Sequence, residues 1–514
     1  MKRREFMSQT GMTSLLAGAV PQAFGSVAGA ADAEQILLPT LPQPTPLAEA
    51  VLFGFDDRAF PFTNQVETRL SPGRKPRVVL SHGSSGSYEE VLLYYGSVIR
   101  IGDTFHMWYN GNYGPAPNDV GYELPNCVLC YATSKDGVNW EKPTLDLVEF
   151  KGSKRNNICD FPASNLWSTA AVLHDPDDPD AKRRFKIAYE ARYEGKLYLC
   201  VAFSPDGLHW QPSPRNPTRA FLEMGGVTKF RGLYYVYGQP AFDMHGRLPV
   251  RRLAAYISDD FEHWSPCAAL GLDRSPHVTG SPTDDAIAEW EEIHLGAGIW
   301  NRGNVLLGIY GQWHGHFSGD RRWVVLDLGL ALSHDALHFY EPIPGFRMIA
   351  AREQPDSPRG VGPALMQGQG MENVGDQTYY WYGLWRGTEG SGVRLVTWPR
   401  DRLGMLRPFL PEKPRAISCP IQVVKGPARL FVNASGLGQH SQLRVGLVTE
   451  GFRPITGYSD EEAAVIGEDG LRAAVRWKAG ETLPESSGQV RVDVRFEGVR
   501  PEDAALHAVY VARS

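Results

Sequence analysis

The amino-acid sequence predicts an all-β fold in which a five-bladed β-propeller is followed by a β-sandwich domain. Three observations lead to this prediction. Glycine, proline and aromatic residues are plentiful, as in chains built from many short strands joined by turns. One short turn sequence recurs along most of the chain. Near the C-terminus, apolar and polar residues alternate with the period of a strand.

The repeated turn is seen first in YATSKDGVNW, residues 131–140. Related segments follow downstream as VAFSPDGLHW, AYISDDFEHW and ALSHDALHF. In each copy an apolar strand runs into a serine, an Asp or Asp-Gly turn follows, and an aromatic residue stands six positions after the serine. We interpret the segment as the turn between the third and fourth strands of a blade, with Trp140 packed between blades.

Five units of this kind fill residues 51–410, and each is predicted to contain four short strands. The first unit reads VLLYYGSVIRIGDTFHMWYNG and then VLCYATSKDGVNW, while the fifth ends in a degenerate turn, TWPRDRLG. Repeats with four strands each are typical of propeller blades. From residue 411 to residue 514, segments such as RLFVNASG and QVRVDVRFEG alternate like the strands of a β-sandwich.

The N-terminus has the features of an export signal. The basic run KRR at positions 2–4 precedes a moderately apolar run, and AGA at positions 28–30 offers small residues for a signal peptidase. Residues 1–30 therefore look like a twin-arginine signal peptide, which would lead to the periplasm or the cell exterior. Residues 31–50 are rich in proline and are predicted to be a linker or surface arm.

Charge and composition argue against several classes of partner. The net charge of -6 is unfavourable for binding a polyanion such as nucleic acid, and no membrane span is expected. Twin-arginine export moves proteins that are already folded, so the six cysteines are interpreted mainly as small core residues. The single pair Cys127-x-x-Cys130 is weak evidence for zinc or redox chemistry.

The order of five repeats and a following sandwich resembles the furanosidase-like glycoside hydrolases of families 32, 43 and 68. The resemblance covers the architecture along most of the chain, without the Trp-Met-Asn-Asp-Pro, Arg-Asp-Pro and Glu-Cys motifs of those families. It implies that a funnel at one end of the propeller carries a glycosidase site. The first strand of each blade would start near the funnel, and the Ser-Asp turns would lie at the other end. Sialidases are a more distant alternative.

Glycoside hydrolysis needs one carboxylic acid to protonate the leaving oxygen and one carboxylate to attack or to activate water. Acidic residues at or just before the start of a first strand are the candidates, because they would face the hub. The resemblance implies that Glu223, in FLEMGG, is the acid. Glu90 or Asp57 is then the predicted nucleophile or base, and Glu292 is a further catalytic candidate.

Other polar and aromatic residues near the predicted funnel are candidates for binding a sugar, because aromatic faces stack on sugar rings and polar side chains bond hydroxyl groups. The predicted substrate-binding residues are Asp56, Glu89, Trp167, His294, Trp313, His314, Arg322 and Trp385. No cofactor is required and no metal ligand is assigned. Two alternatives stay open: a transition metal at His314 and His316, and, by resemblance to family 43, a structural calcium ion at the propeller centre beside His294.

These features predict a secreted glycoside hydrolase that cleaves a polysaccharide or an oligosaccharide, furanosides among them. The alternative from another class is a non-catalytic carbohydrate-binding propeller, which would present an aromatic platform without a facing pair of carboxylates. A glycoside phosphorylase is a third alternative, in which Arg321, Arg322 and His314 would hold phosphate.

Overall fold

The computed structural model describes residues 36–37, 47–114, 126–162, 166–194, 196–218, 220, 222–240, 251–274, 291–314, 323–351, 364–384, 392–423, 426–484 and 488–513. The predicted signal peptide and most of the predicted linker lie outside these residues. Nearly all of the regular structure is β-strand, which confirms the all-β prediction. Short 3-10 helices accompany the strands in the described residues, among them Ala181–Arg183, Asp460–Glu462 and Pro501–Asp503.

Five groups of antiparallel strands, units one to five, follow the order of the predicted repeats. Strands β1 to β5 precede them: Ile36–Leu37, Glu49–Phe53, Phe62–Asn64, Val66–Leu70 and Arg74–Ser81. Unit one contains β6 to β9: Val91–Ile101, Thr104–Tyr113, Asn126–Ser134 and Trp140–Glu141. Unit two contains β10 to β13: Leu166–His174, Phe185–Tyr193, Lys196–Ser204 and Gln211–Pro212.

The remaining units keep this antiparallel order, but the described part of unit four contains three strands instead of the predicted four. Unit three contains β14 to β17: Leu222–Phe230, Leu233–Pro240, Leu253–Ser258 and Ala269–Leu272. Unit four contains β18 to β20: Glu291–Asn301, Leu306–His314 and Val325–Ser333. Unit five begins with β21 to β23: Leu365–Val374, Gln377–Leu384 and Gly392–Pro399.

A strand from the N-terminal part of the chain completes unit five. Strand β5 pairs antiparallel with β23, with Leu80 opposite Val393. The two ends of the repeat array are therefore hydrogen-bonded to each other. This explains why the turn TWPRDRLG is degenerate: the chain after it does not supply the fourth strand of the unit, because β5 already occupies that position.

The first strands of the five units lie side by side in a closed ring. In order, β6, β10, β14, β18 and β21 each contact the next, and β21 contacts β6 again. Gln369 on β21 pairs in parallel with Ser97 on β6. Its side chain also crosses the ring, because Oε1 accepts a hydrogen bond from the Val227 amide and Nε2 donates to the Val172 carbonyl. Polar side chains of the ring strands thus bond the units together at the hub.

The ring strands run in the same direction. Gly225 and Gly226 on β14 approach the carbonyl oxygens of Leu295 and Ala297 on β18 in the same order, so closely that a Cβ would lie 2.0 and 2.1 Å from them. The strands therefore start at one end of the ring, which we call the mouth. Each ring strand also has a register shift within its pairing to the second strand. Such bulges change the direction of the side chains around them.

The repeated turn lies where the sequence predicts it. In unit one, Ser134 ends β8 and pairs with Trp140, which starts β9. The Asp136 carboxylate accepts two backbone hydrogen bonds, at 2.8 and 2.7 Å. Gly137 follows with φ of 73°, a conformation that glycine adopts without a steric cost. Trp140 meets Trp381 of unit five edge to face at a centroid distance of 6.3 Å, which confirms that it packs between units.

These turns also join neighbouring units. The same Ser-Asp hydrogen bonding recurs at Ser204–Asp206, Ser258–Asp260 and Ser333–Asp335. In three cases an aromatic side chain on the second strand of one unit donates to a carbonyl in the turn of the next unit. These bonds run from Trp381 to Gly137 at 2.9 Å, from Trp108 to Gly207 at 2.7 Å and from Tyr237 to Ala336 at 2.9 Å.

Two further sheets contain the C-terminal strands. Strands β24 to β28 are Gly404–Pro408, Arg415–Ile417, Gln422–Val423, Ala428–Ser435 and Gln442–Thr449. Strands β29 to β32 are Ala464–Ile466, Gly470–Ala474, Val490–Glu497 and Ala505–Arg513. One sheet has the order β30-β27-β32-β24-β4, with β2 also on β32, and the other has the order β29-β28-β31-β25-β3. Val432 and Val509 of the first sheet share one apolar core with Val445 and Val492 of the second.

Strand pairing crosses the domain boundaries that the sequence suggested. Strands β2, β3 and β4 pair with β32, β25 and β24, so the chain from residue 49 to residue 70 joins the C-terminal sheets rather than the first unit. The physical reason is burial: four of the five residues of β2 are buried and need an apolar face to cover them. The predicted propeller range, residues 51–410, included this segment because it precedes the first repeat in the sequence.

Candidate functional site

Two predicted carboxylates lie at the mouth, near the starts of neighbouring ring strands. Glu223 is the second residue of β14, and Glu292 is the second residue of β18. Glu292 is fully buried, whereas Glu223 is half-buried. Because β14 and β18 contact each other and start at the same end, both carboxyl groups belong to one region of the ring.

A chain of hydrogen bonds and one ion pair connects the two carboxyl groups. Gln239 stands opposite Glu223 on the second strand of unit three and donates from Nε2 to its Oε2. The Gln239 Oε1 atom accepts from Arg251 Nη1 at 3.0 Å and from the Leu295 amide at 3.2 Å. Arg251 Nε in turn lies 3.6 Å from Glu292 Oε2. One amide and one guanidinium group thus stand between Glu223 and Glu292.

Aromatic rings pack beside this chain. The Arg251 guanidinium lies 4.2 Å from the centroid of the Trp313 ring, within cation–π range. His294 stacks on Trp313 with a centroid distance of 5.7 Å and an interplanar angle of 23°. Tyr95 of unit one approaches His294 at 6.4 Å. His294 and Trp313 are 3% and 2% exposed, so both form the inner wall of the mouth rather than an open surface.

Local backbone structure brings these groups together. The bulge of β18 falls after His294, where Leu295 and Gly296 have φ of 54° and 74°. A positive φ is unfavourable for a leucine, so the surrounding contacts must hold it there. On the facing strand, Gly311 pairs with His294, and a Cβ at Gly311 would lie 3.0 Å from the His294 Cβ. The glycine therefore gives the imidazole ring its space.

One apolar cluster lies inside the ring, near the starts of its strands. Its members are buried residues of the first strands of units one, four and five: Val91, Leu93, Tyr95, Leu295 and Met366. Glu292 thus lies on the same ring strand as Leu295 of this apolar cluster, in surroundings where an unpaired charge would be costly.

Glu89 and Glu90 do not join the cluster. Glu89 is buried, pairs with Lys142 at 2.7 Å and accepts from the Tyr109 hydroxyl at 2.8 Å. Glu90 accepts from the Ser85 hydroxyl and the Gly86 amide, each at 3.1 Å. The first is held by an ion pair within unit one and the second by the loop before β6. Glu90 directly precedes β6, a ring strand that starts at the mouth, so the roles of both residues toward substrate stay predictions.

Asp56 and Asp57 lie at the end of the ring opposite the mouth. Asp56 is buried and is bonded by His334 at 3.0 Å and by the Tyr340 hydroxyl at 2.6 Å. Burial raises the pKa of Asp56, but the hydrogen bond and charge of His334 outweigh it and lower the pKa. His334 belongs to the turn after β20, roughly 25 Å from the mouth by the length of that strand. Asp57, beside it, is exposed.

His314 is bonded away from the two carboxyl groups. Its Nε2 lies 2.9 Å from Asp327 Oδ2, and Arg347 Nε lies 2.9 Å from the same oxygen. Burial raises the pKa of Asp327, yet the hydrogen bond from His314 and the amide of Ala351 lower it below its usual value. This group ties β19 to β20 and to the segment after them. The His314–His316 alternative falls partly on undescribed residues.

Three predicted binding residues lie wholly or partly outside the described part of the chain, and three residues near the mouth were not predicted. Trp167 is in β10 with a side chain outside the described part, and Arg322 and Trp385 lie outside it entirely. Trp323, which stands two residues before β20 at the mouth end, is 51% exposed and was not predicted. Gln239 and Arg251 were also missed. The signal that could have found them is position: Gln239 is the last residue but one of β15, and Arg251 stands two residues before β16.

Within the described ranges, no group of three or more His, Cys, Asp or Glu side chains is arranged to hold a metal ion. The structural calcium ion therefore stays a prediction by resemblance. In the part of the chain that the structure covers, no helix has the length and apolar character needed to cross a bilayer.

Comparison with known proteins gives distant similarities. No protein-family model matches the chain. Two uncharacterised proteins, from two strains of Mycobacterium tuberculosis, are 33% identical to it over 119 residues, which is 23% of this chain. The chain spans only 33% of the length of these curated relatives.

Several solved structures that resemble it are described as glycoside hydrolases. One from Bacteroides ovatus is 16% identical, with a TM-score of 0.44, and the match covers 68% of this chain and 96% of that one. Another, from the GH130 family of mannoside phosphorylases and hydrolases of β-1,2 mannosidic linkages, is 14% identical with a TM-score of 0.39, covering 65% and 98%. A thermostable family-43 enzyme is 13% identical with a TM-score of 0.35, covering 62% and 91%.

Proposed function

We propose that the protein is a glycoside hydrolase whose site is the mouth of a five-bladed β-propeller. In this proposal, units one to five are the blades, and the two C-terminal sheets form a β-sandwich appended to them. The closed ring of five first strands supports the propeller, and the shared core of two sheets supports the sandwich. The proposal includes export by the twin-arginine route.

The observation that carries the proposal is the pair of carboxyl groups on neighbouring ring strands. Glu223 and Glu292 lie at the same end of β14 and β18 and are joined through Gln239 and Arg251. Carboxylates near a hub are costly to bury unless they are paired, so their placement at one mouth indicates a function for both. Two carboxyl groups flanking one cleft are the minimum that glycoside hydrolysis requires.

The geometry supports a division of labour between them. One carboxyl group would give its proton to the leaving oxygen of the glycosidic bond. The other would accept a proton from the attacking water, or would itself bond to the anomeric carbon, depending on their separation around the substrate. Arg251 holds one of the two in place through its ion pair with Glu292. A polysaccharide or an oligosaccharide is the substrate class, and furanosides are the first to examine.

Hydrolysis assays test this proposal. Wild type and the variants Glu223→Gln and Glu292→Gln are compared on aryl furanosides, aryl pyranosides and cell-wall polysaccharides, after circular dichroism has shown matched folding. We expect wild type to cleave at least one substrate and each variant to lose about a hundredfold or more in kcat. The matched control is Glu372→Gln, which changes a carboxyl group near the opposite end of a ring strand and should leave kcat within about twofold.

The same assays distinguish a hydrolase from a carbohydrate-binding module and from a phosphorylase. If wild type cleaves nothing but glycan arrays show binding, the protein is a carbohydrate-binding module and the hydrolase proposal is wrong. If cleavage requires inorganic phosphate and releases a sugar phosphate, the enzyme is a phosphorylase instead.

A further inference from the structure

A short hairpin lies at the mouth end of unit one. The Phe150 amide donates to the Ser153 carbonyl at 2.9 Å, and the Ser153 amide donates to the Phe150 carbonyl at 3.1 Å. Phe150 meets Tyr113 edge to face at a centroid distance of 5.1 Å. Tyr113 is the last residue of β7, which runs antiparallel to β6 and therefore ends at the mouth, where β6 starts. The hairpin is thus part of the rim of the mouth.

Tyr88 anchors this segment at two points. Its ring packs edge to face against Phe150 at 5.5 Å, and its hydroxyl donates to Asn157 Oδ1 at 2.5 Å. Asn157 is itself fixed, since its Nδ2 donates to the Tyr109 hydroxyl at 2.7 Å. Residues 151–155 therefore lie between two anchored positions, at a defined place on the rim.

Three exposed cationic side chains stand between these anchors: Lys151, Lys154 and Arg155. In the described part of the chain, none of the three forms an ion pair with a carboxylate. Lys151 Nζ donates to the Gly86 carbonyl at 2.7 Å and lies 5.4 Å from the centroid of the Phe150 ring. The whole chain has a net charge of -6, so this local excess of positive charge does not follow from composition. Such an excess favours an anionic partner.

Two carboxyl groups near the hairpin do not cancel its charge. Glu90 accepts from the Ser85 hydroxyl and the Gly86 amide, each at 3.1 Å, so neutral groups of its own loop hold it. Glu149, which precedes Phe150, is exposed. Residues 149–155 therefore present three positive charges against one negative charge.

An aromatic ring beside exposed cations suits an acidic sugar. The half-buried Tyr113 ring offers a face to the apolar side of a sugar ring, while ammonium and guanidinium groups bond an anionic substituent. We infer that the rim of unit one binds an anionic sugar residue of the substrate, through its carboxylate or sulfate group. The inference rests on the proposed function and narrows its substrate class to acidic glycans.

The order of the ring strands places this sugar apart from the bond that is cleaved. Unit one neighbours units two and five, whereas Glu223 and Glu292 belong to units three and four. The anionic sugar therefore occupies the other side of the mouth, and the substrate must be long enough to reach both places. Its charge should act on binding rather than on the chemical step.

Affinity electrophoresis measures this binding without requiring cleavage. Wild type and a triple variant, Lys151→Gln with Lys154→Gln and Arg155→Gln, are run in gels that contain polygalacturonate, carrageenan or neutral arabinan. At low salt we expect wild type to bind one of the two acidic polysaccharides about tenfold more tightly than arabinan, and the triple variant to lose about tenfold of that binding. Polygalacturonate presents carboxylates and carrageenan presents sulfates, so the preferred polysaccharide identifies the anionic group.

Tyr113→Ala tests the aromatic face. It should weaken binding of the same polysaccharide about fivefold, and this loss should persist at high salt, because salt screens charges but not stacking. Unchanged binding in Tyr113→Ala overturns the stacking role of this ring.

The matched control removes three exposed cations elsewhere. Arg74→Gln with Lys75→Gln and Arg77→Gln changes the net charge by the same amount on β5, the outermost strand of unit five. Equal losses in the two triple variants overturn the inference, because the effect would then come from net charge. A wild type that binds neither acidic polysaccharide more tightly than arabinan also overturns it.

These outcomes are separate from the test of hydrolysis. If wild type binds an acidic polysaccharide as expected but cleaves nothing, the rim is an acidic-glycan site and the hydrolase proposal fails. If wild type cleaves arabinan and binds neither acidic polysaccharide, the inference fails and the hydrolase proposal stands.

Discussion

At the scale of single residues, the side chains that form the inner wall of the mouth are buried against other protein side chains. Trp313 was expected to stack on a sugar, but it is 2% exposed and is packed against Arg251 and His294. Its role is to support the guanidinium and imidazole groups. Trp323, at the same end of unit four, has the exposed ring that a sugar could stack on.

Replacing Trp323 with alanine should weaken substrate binding. We expect KM to rise about five- to tenfold with kcat changed less than twofold, because a stacking contact is made equally in the ground state and the transition state. Steady-state kinetics on the best substrate measure both constants. Phe409→Ala is the matched control, since Phe409 is 54% exposed in the segment that follows β24. An unchanged KM in Trp323→Ala would show that Trp323 does not contribute to substrate binding.

The sequence predicted part of the residue cluster and missed the rest for a physical reason. Glu223, Glu292 and His294 were predicted from the starts of first strands, which depend only on repeat spacing, and Trp313 was predicted from the rim segment at the end of a second strand. Gln239 and Arg251 could not be found in that way, since their roles come from contacts across strands. Asp56 and Asp57 were placed at the wrong end, because the segment that carries them pairs with the C-terminal sheets instead of a blade.

At the scale of elements, the Ser-Asp turn is a hydrogen-bonded unit that the sequence repeat encodes directly. Asp260 illustrates it: its carboxylate accepts from the amides of Glu262 and His263 at 2.8 and 2.7 Å, and from the His263 ring. Burial raises the pKa of Asp260, but these hydrogen bonds lower it far below the usual value. Short local patterns of this kind are readable from sequence because all partners lie within a few residues.

The adjacent aspartates of this turn allow a matched comparison. Asp260→Asn should destabilise the protein by about 1–2 kcal/mol, because the amide cannot accept all of the hydrogen bonds that the carboxylate accepts. Asp259→Asn changes an exposed neighbour and should have an effect below about 0.5 kcal/mol. Chemical denaturation of the two variants measures the difference. Equal destabilisation would mean that the turn is held by other contacts.

At the scale of the whole molecule, chain closure links regions that are distant in sequence. Strand β5 completes unit five, while β2, β3 and β4 join the C-terminal sheets. Tyr510 of β32 also donates to Asp401 at 2.8 Å, and Arg302 of unit four pairs with the same carboxylate. The sequence predicted the number and order of the repeats well. It did not predict these closures, because pairing between chain ends leaves no local pattern.

His507 makes the stability of the C-terminal sheets depend on pH. Burial lowers the pKa of His507 to about 4, against the opposing effect of its hydrogen bond to the Gly404 carbonyl. The unfolded chain, with a histidine pKa near 6.5, therefore binds more protons between these two values. The stabilisation is complete above pH 6.5 and is lost as the pH falls toward 4, by about 3 kcal/mol in total.

Urea denaturation of His507→Asn at several pH values checks this expectation. Relative to wild type, the variant should lose less stability between pH 6.5 and pH 4, since its side chain does not titrate there. His440→Asn, which changes an exposed histidine near the same sheets, should retain the wild-type slope. Parallel curves for wild type and His507→Asn would show that His507 is not the source of the pH dependence.

The most direct test of the central claim is the dependence of the Glu223→Gln reaction on the leaving group. Aryl glycosides of the sugar that wild type cleaves best are compared over a series of phenols of increasing acidity. If Glu223 supplies the proton, kcat/KM of the variant should approach that of wild type for the most acidic phenols and fall steeply for the least acidic ones. A loss of the same size across the whole series would contradict the assignment of Glu223 as the acid of a glycoside hydrolase.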